Sequence, residues 1–245
     1  MNPEAKSAPK TPAKGHLHPM TQIIREIQTV FGELGFEVAD GPELETEHFN
    51  FDALNVPADH PARDMQDTFW IKPLKGSQER PVLRTHTTSV TARALAECKD
   101  QFPIRKIFLG KVFRNEATDI THEAQFFQLD GVYVDKNVSL ADLKSTLLYF
   151  YKKILGDDVE VRFRPSYFSF TEPSAEVDVK FKGKWLEMMG AGMLHQNVFK
   201  AAGVDPDLWC GFAFGGGIDR LLMVKYGIDD IRSLYSGDLR FVNQF

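Results

Sequence analysis

The segment 112–131, VFRNEATDITHEAQFFQLDG, contains side chains that could bind a nucleotide. Arg114 and Glu116 stand two residues apart, so on a strand both side chains would leave the same face. An arginine fork can bind phosphate or carboxylate oxygens, and a glutamate can accept a hydrogen bond from an exocyclic amine such as that of adenine. Taken alone, the two residues could equally be an incidental pair on a solvated hairpin.

The returning half of this hairpin could supply a flat ring followed by two polar groups. In an extended chain Phe126, Gln128 and Asp130 share one face, and Phe127 and Leu129 share the other. An aromatic ring can stack on a base, and neighbouring carbonyl or carboxylate oxygens can receive an ammonium. The pattern therefore predicts a site for a nucleotide and an amine on one face of the strand.

A second segment, GFAFGGGIDRLLMVKYG at 211–227, predicts a strand that runs into a helix through three glycines. Glycines let a ligand approach the backbone, and exposed N–H groups at a helix start favour an anion. Arg220 would lie in the first turn, where its charge opposes the helix dipole unless an anion is bound. The segment is not a Walker loop, and a glycine-rich turn with a surface arginine is the simpler interpretation.

A third segment, RPSYFSFTEPSAEVDV at 164–179, places Phe168 and Phe170 on one face of an extended chain between two prolines. Such a pair suits a rigid aromatic wall at a pocket edge. The carboxylate of Glu172, beside them, could hold Mg²⁺. The alternative of two core phenylalanines and a surface glutamate fits the general rule that large apolar residues are buried.

The elements that must position these segments are visible in the spacing of apolar residues. A helix is predicted from Pro19 to Gly35, and a second from a cap at Ser139 to Gly156. Another helix-like stretch runs over 229–235. Strand-like runs with short links cover 106–114, 124–134, 159–164, 176–181, 185–189 and 209–214. Short links favour antiparallel pairing, so we expect an α+β fold with an antiparallel β-sheet flanked by helices.

Composition limits the class of protein. The 245 residues are 43% hydrophobic, enough for one large core, and no apolar run approaches the roughly 20 residues of a membrane span. Cys98 and Cys210 are far apart, which favours a reduced, cytoplasmic protein. Residues 1–17 are rich in Pro, Ala and Lys and predict a disordered tail, with the domain over 18–245. A formal charge of −5 argues against holding nucleic acid by charge alone.

Together these segments resemble the signature motifs of class II aminoacyl-tRNA synthetases, specifically the catalytic core of the phenylalanyl alpha subunits. The first helix with GFEVADGP is similar to motif 1, FRNE with its loop to motif 2, and GFAFGGGIDR to motif 3. Four further stretches resemble the phenylalanyl family itself: NFDALNVPADHPARDMQDTFW, LRTHTTSVTAR, RFRPSYFSFTEPSAEV and DIRSLYSGDLRFVNQF. The resemblance spans about His18 to Phe245.

The resemblance implies an ATP site. Arg114 would hold the ATP α-phosphate and the amino-acid carboxylate, Glu116 would accept from the adenine amine, and Phe126 would stack on the adenine ring. Arg220 would hold the γ-phosphate, with Gly215 against the nucleotide. The implied reaction is ATP-dependent activation of L-phenylalanine to phenylalanyl-adenylate, followed by transfer to tRNA(Phe).

The resemblance also implies an amino-acid site. Phe168 and Phe170 would contact the benzyl ring, Ala213 would set the pocket depth, and Glu172 would be a ligand of Mg²⁺. Asp130 stands where bacterial members usually carry Glu, so its carboxylate is one methylene shorter. Four side chains would surround the substrate ammonium: His86, Thr88, Gln128 and Asp130.

The family implies partners as well: a separate beta subunit in a heterotetramer, tRNA(Phe) and L-phenylalanine, without a membrane. The alpha subunits usually carry an N-terminal helical arm that touches tRNA, and this sequence shows no counterpart of it. We therefore expect the beta chain to supply much of the contact with tRNA. Two alternatives stay open: a synthetase-like paralogue that activates another amino acid or acylates a non-tRNA acceptor, and a non-catalytic binding module with the same fold.

Overall fold

A computed structural model describes residues 15–63, 68–73, 76, 79–98, 101–120 and 123–245. Most of the segment predicted to be a tail, residues 1–14, lies outside this part, so that prediction stays a prediction. Among the described residues, none of the helices has the length and hydropathy of a transmembrane span.

Among the described residues, seven strands form a sheet at the centre of the molecule and two form a separate pair. The strands are β1 (Glu37–Ala39), β2 (Leu44–Thr46), β3 (Pro81–Leu83), β4 (Ile104–Phe113), β5 (Gln125–Asp135), β6 (Val161–Phe168), β7 (Thr171–Phe181), β8 (Lys184–Leu194) and β9 (Cys210–Gly217). The large sheet has the order β1-β4-β5-β9-β8-β7-β6, and β2 pairs with β3. In the large sheet β1 pairs in parallel with β4, and the other neighbours are antiparallel, which confirms the expected α+β fold.

Three helices cover one face of the large sheet: α1 (Pro19–Glu33), α4 (Leu140–Leu155) and α6 (Ile218–Tyr226). Their apolar faces form the largest core cluster together with Leu129 and its same-face neighbours. Phe31 is fully buried at its centre, with its ring centroid 5.0 Å from that of Phe150 and 5.3 Å from that of Phe214. Replacing such a phenylalanine by alanine costs about 3–5 kcal/mol of unfolding free energy.

The opposite face of the sheet carries α3 (Thr88–Cys98) and α5 (Gln196–Ala201). They pack on the strand residues whose side chains point away from the first core. Val132 and Val134 of β5 point to this side, whereas Leu129 points to the other, as strand alternation requires. Phe126, Gln128 and Asp130 therefore face this second side. Two further short helices are α2 (Glu47–Asn50) and α7 (Leu239–Val242), with 3₁₀ turns at Asp52–Leu54, Pro61–Arg63 and Ile231–Leu234.

The two long helices predicted from the sequence are confirmed, including the Ser139 cap, which forms a capping box with Asp142. Several strands run further than predicted, since β7 begins at Thr171 and β8 continues to Leu194. The stretch 229–235 forms only a 3₁₀ turn. Helix α3 was not predicted from the sequence, because five of its seven buried residues are threonine, serine or alanine, and Val90 and Leu95 alone form a weak apolar pattern.

Candidate active site

A cavity of about 500 Å³ opens over β5, β8 and β9, a size typical of a small-molecule site. It is lined by side chains from distant parts of the chain. Twelve of the thirteen residues singled out from the sequence line it: His86, Thr88, Arg114, Glu116, Phe126, Gln128, Asp130, Phe168, Phe170, Ala213, Gly215 and Arg220.

Arg114 and Arg220 face this one cavity from two different elements. The Nε of Arg114 donates to the carbonyl of Thr85 at 3.2 Å, and its guanidinium carbon lies 5.1 Å from the ring centroid of Phe126. Nη1 of Arg220 donates to the carbonyl of Glu187 at 3.0 Å. A polyphosphate between these guanidinium groups would meet positive charge from both sides.

One detail of the sequence interpretation is wrong: β4 ends at Phe113, so Arg114 and Glu116 do not lie on a strand. They belong to the connection that follows, where the backbone N–H of Arg114 still donates to the carbonyl of Ala124 at 2.9 Å. This hydrogen bond continues the pairing of the β4–β5 hairpin one residue beyond the end of β4. Both side chains reach the cavity through the shape of the connection rather than through strand alternation.

The helix α6 begins at the cavity wall. Gly217 is its N-cap, and among the described residues no side chain caps its first N–H groups. Free N–H groups at a helix start favour an anion. The close approach of the backbone here depends on glycine: a Cβ on Gly215 would lie 2.6 Å from Oδ1 of Asp130.

Asp130 lies at the floor of the cavity and is 3% exposed. Its two carboxylate oxygens accept hydrogen bonds from the hydroxyls of Thr87 and Thr88, at 2.5 and 2.6 Å. Burial raises the pKa of Asp130 to about 7, against the lowering effect of these hydrogen bonds and of Arg84 and Arg114. An ammonium ion in the cavity would favour the ionised form, so this floor is suited to bind an amine.

His86 contributes a neutral ring to the same end of the cavity. Burial and the positive charge of Arg114 lower the pKa of His86 to about 3, so the imidazole is uncharged at neutral pH. Its Nδ1 is buried and has no hydrogen-bond partner among the described residues. A neutral imidazole does not repel an ammonium ligand, and it can either donate or accept a hydrogen bond.

An apolar slot adjoins the amine end. The rings of Phe168 and Phe170 are stacked, with centroids 5.9 Å apart and an interplanar angle of 18°. The Phe168 ring lies directly against Gly190, where a Cβ would come within 2.7 Å of the ring. Asn55 holds the turn between the rings, because its Nδ2 donates to the carbonyl of Ser169 at 2.7 Å.

Glu172 is the one predicted site residue that does not line the cavity. Its side chain is 78% exposed, and its carboxylate lies 3.3 Å from Nε2 of His195. In the described part of the chain, no group of three or more His, Cys, Asp or Glu side chains could hold a metal ion. The residues present therefore do not fit an all-protein metal site, and the role of Glu172 stays a prediction.

Several lining residues were missed from the sequence. Glu123, Glu187 and Asp219 also line the cavity, and Ile231 reaches it from the C-terminal 3₁₀ turn. Glu123 and Glu187 could each offer hard oxygen ligands to a divalent cation that arrives on a phosphate. Thr87, whose hydroxyl donates to Asp130, was not singled out from the sequence, where it is one of three threonines in THTT.

Comparison with known proteins decides the family. The model for the tRNA synthetases class II core domain (F) matches residues 2–245. This chain belongs to the class II tRNA synthetase core family. The match covers almost the whole chain.

Two curated relatives narrow the membership within the class II synthetases. The phenylalanine–tRNA ligase alpha subunit of Macrococcus caseolyticus is 49% identical over 243 residues, covering 94% of this chain and 67% of that protein. The subunit of the same name from Bacillus pumilus is 48% identical over 250 residues, covering 97% and 71%. Within the class II synthetases, this chain therefore groups with the phenylalanine–tRNA ligase alpha subunits, as its motifs had indicated.

A solved structure supports the same architecture. The pyrrolysyl-tRNA synthetase of Desulfitobacterium hafniense superimposes with a TM-score of 0.70 over 90% of this chain and 74% of that one. The two sequences are only 18% identical, so this likeness concerns the fold. It agrees with a class II synthetase core built on an antiparallel sheet.

Proposed function

We propose that this chain is the alpha subunit of a phenylalanine–tRNA ligase, which activates L-phenylalanine with ATP and transfers it to tRNA(Phe). The observation that carries the proposal is one cavity lined both by Arg114 and Arg220 and by an apolar slot ending at Asp130. A nucleotide with its phosphates and an aromatic amino acid would fit side by side in it. Membership in the alpha-subunit family points to the same reaction.

In the first step, a carboxylate oxygen of phenylalanine attacks the α-phosphorus of ATP. The bond from that phosphorus to the bridging oxygen breaks, giving phenylalanyl-adenylate and pyrophosphate. Arg114 would bind the reacting carboxylate and α-phosphate, and Arg220 the γ-phosphate, while Phe126 stacks on adenine and Glu116 accepts from its amine. Catalysis then rests on positioning and on stabilising negative charge, with no protein nucleophile.

Amino-acid selection would follow from the slot and its floor. Phe168 and Phe170 offer aromatic contacts to a benzyl ring, and the apolar end at Ala213 leaves the hydroxyl of tyrosine without a partner. Asp130 and Gln128, with Thr88 and His86, would receive the ammonium at the other end. The slot therefore favours phenylalanine over both aliphatic and hydroxylated side chains.

In the second step, the terminal ribose hydroxyl of tRNA(Phe) attacks the acyl carbon and releases its proton to solvent, and AMP leaves with the electrons of the broken acyl–oxygen bond. When bound, Mg²⁺ would neutralise phosphate charge. Because magnesium is often held by one or two carboxylates plus substrate phosphates, a protein-only cage is not required. A separate beta subunit would supply much of the tRNA contact, since the chain itself carries a formal charge of −5.

The test is amino-acid-dependent exchange of pyrophosphate into ATP, run across the twenty amino acids with and without a co-purified partner. We expect phenylalanine alone to support rapid exchange. Rapid exchange with a different amino acid would indicate a paralogue of altered specificity. Binding of ATP without any exchange would indicate a non-catalytic module.

The role of Arg114 is tested by Arg114→Ala. Loss of one preorganised group that stabilises developing charge typically costs about 10²–10³ in rate, so we expect at least a hundredfold loss of phenylalanine-dependent exchange. The matched control is Arg240→Ala, because Arg240 is highly exposed, pairs with Asp238 and is not among the residues that line the cavity. Retained exchange in Arg114→Ala would refute the assigned role.

A further inference from the structure

The carboxylate of Asp219 joins three parts of the chain at the nucleotide end of the cavity. Asp219 lies in the first turn of α6, directly before Arg220, and is 1% exposed. Its Oδ2 accepts from the backbone N–H of Phe127 at 2.7 Å, one residue after Phe126 in β5. Its Oδ1 accepts from the hydroxyl of Tyr235. One side chain thus connects the strand of the stacking ring, the helix of the phosphate arginine and the C-terminal segment.

The C-terminal segment meets this end of the cavity a second time. The backbone N–H of Ile231 donates to the carbonyl of Ile120 at 3.1 Å, in the connection between β4 and β5 that also carries Glu116. The side chain of Ile231 is 5% exposed and lines the cavity. The turn Ile231–Leu234 is therefore fixed to the hairpin connection at one end and, through Tyr235, to α6 at the other.

The Tyr235 hydroxyl has a strong effect on Asp219. Burial raises the pKa of Asp219 to about 6, and the hydrogen bonds from Tyr235 and from the Phe127 N–H oppose that rise, while the charge of Glu123 adds to it. Without the phenol, one oxygen of a buried carboxylate would lose its donor. Such a group is costly to leave unpaired, so α6 would shift or the carboxyl would take up a proton.

We propose that Tyr235 is a positioning residue for ATP: by binding Asp219, it fixes the start of α6 relative to β5, and so fixes Arg220 relative to Phe126. The inference rests on the proposed ATP site but concerns two residues to which that function assigns no role. Tyr235 itself is not among the residues that line the cavity. Its effect would be specific to the nucleotide, because Asp130 and the phenylalanine slot are held by other contacts.

The first experiment uses Tyr235→Phe, which removes only the hydroxyl, in the full chain purified with its partner subunit where one co-purifies. Losing a hydrogen bond to a charged group corresponds to about a tenfold change, so we expect the KM for ATP in pyrophosphate exchange to rise about tenfold. The KM for phenylalanine should stay within about twofold. The control is Tyr226→Phe, since Tyr226 ends α6 and its ring packs on Phe245.

The second experiment substitutes Asp219 and Tyr235 singly and together, to separate a positioning role from an effect on general stability. Asp219→Asn keeps the side-chain shape but removes the charge, and it should raise the KM for ATP selectively as well. If Tyr235 acts through Asp219, adding Tyr235→Phe to Asp219→Asn should change that KM by less than about twofold. The proposal is overturned if the effects of the two substitutions on the KM for ATP multiply independently. It is also overturned if the KM values for ATP and for phenylalanine rise equally.

The outcomes also distinguish this inference from the function on which it rests. A wild-type protein without phenylalanine-dependent exchange contradicts the proposed function. An active wild type with an unchanged Tyr235→Phe variant contradicts only the role of Tyr235. Should Tyr235→Phe fail to fold, Asp219→Asn carries the test, and a loss in it that is not selective for ATP overturns the proposal.

Discussion

The carboxylate of Asp130, at the floor of the cavity, couples substrate binding to the binding of a proton. Asp130 is buried beneath the site, and burial raises its pKa to about 7. An ammonium ligand binds best to the ionised carboxylate. A proton on Asp130 competes with the ammonium group for the carboxylate. The affinity for phenylalanine should therefore depend on pH within the physiological range.

The KM for phenylalanine at saturating ATP should therefore rise as pH falls below about 7, approaching tenfold per pH unit. Asp130→Asn should show a higher KM that is flat over the same range. A flat wild-type profile between about pH 5.5 and 8 would contradict the assignment.

The raised pKa of Asp130 also affects the stability of the ligand-free protein. The pKa of Asp130 is higher in the folded chain than the ordinary value of 3.8, so the folded state binds the proton more tightly than the unfolded chain. The stabilisation from this group is complete below about pH 4 and is lost as pH rises through about 7. Urea unfolding of the ligand-free protein should show this loss in the wild type, and Asp130→Asn should lack it.

Strand alternation predicted one part of this site, and the resemblance to the family supplied most of the other residues. Phe126, Gln128 and Asp130 could be assigned to one face because alternate residues of a strand always share a face. Asp219 and Tyr235 could not be linked in the same way, because they lie sixteen residues apart on different elements. Contacts of that kind depend on how the C-terminal turn packs, which no local pattern encodes.

At the element scale, the aromatic wall depends on a turn that is far away in sequence. Asn55 has the left-handed backbone conformation, with φ of 57°, and its side chain donates to the carbonyl of Ser169, between the two wall phenylalanines. Its Oδ1 in turn accepts from Nδ2 of Asn197 at 3.0 Å, just after β8. From the sequence, Phe168 and Phe170 were predicted at a pocket edge, and both line the cavity. The support from Asn55 could not be predicted, because it joins segments more than a hundred residues apart.

Two substitutions at Asn55 separate its side chain from its backbone. Both Asn55→Gly and Asn55→Ala remove the donor to a half-buried carbonyl, so both should raise the KM for phenylalanine by about tenfold while that for ATP changes little. Only alanine is strained at positive φ, by about 1–2 kcal/mol, so Asn55→Ala should unfold at lower urea concentration than Asn55→Gly. Equal unfolding midpoints, or an unchanged KM in both variants, would contradict this account.

At the scale of the whole molecule, two cores lie on opposite faces of one sheet, and the cavity opens on the side of α3 and α5. The fold was predictable because its long helices and strands have clear apolar periodicity. The helix α3 was not, although it begins at Thr88 in the site itself. Thr88 binds Asp130, and small or polar side chains fill most of the buried positions where large apolar residues would indicate a helix.

The charge of the whole chain leads to the last prediction. With 29 basic and 34 acidic residues, the chain can neutralise few phosphates of a tRNA, and the affinity for nucleic acid depends on that number. The chain alone should therefore bind tRNA(Phe) weakly, with a shallow fall of log K against log salt. The complex with its partner subunit should bind more tightly and with a steeper slope, measured by filter binding from about 50 to 200 mM salt. Pyrophosphate exchange needs no tRNA, so its rate measures folding and the active site in both preparations. Equal affinity and equal slope for the chain and the complex would show that the tRNA contact lies on this chain, despite its net negative charge.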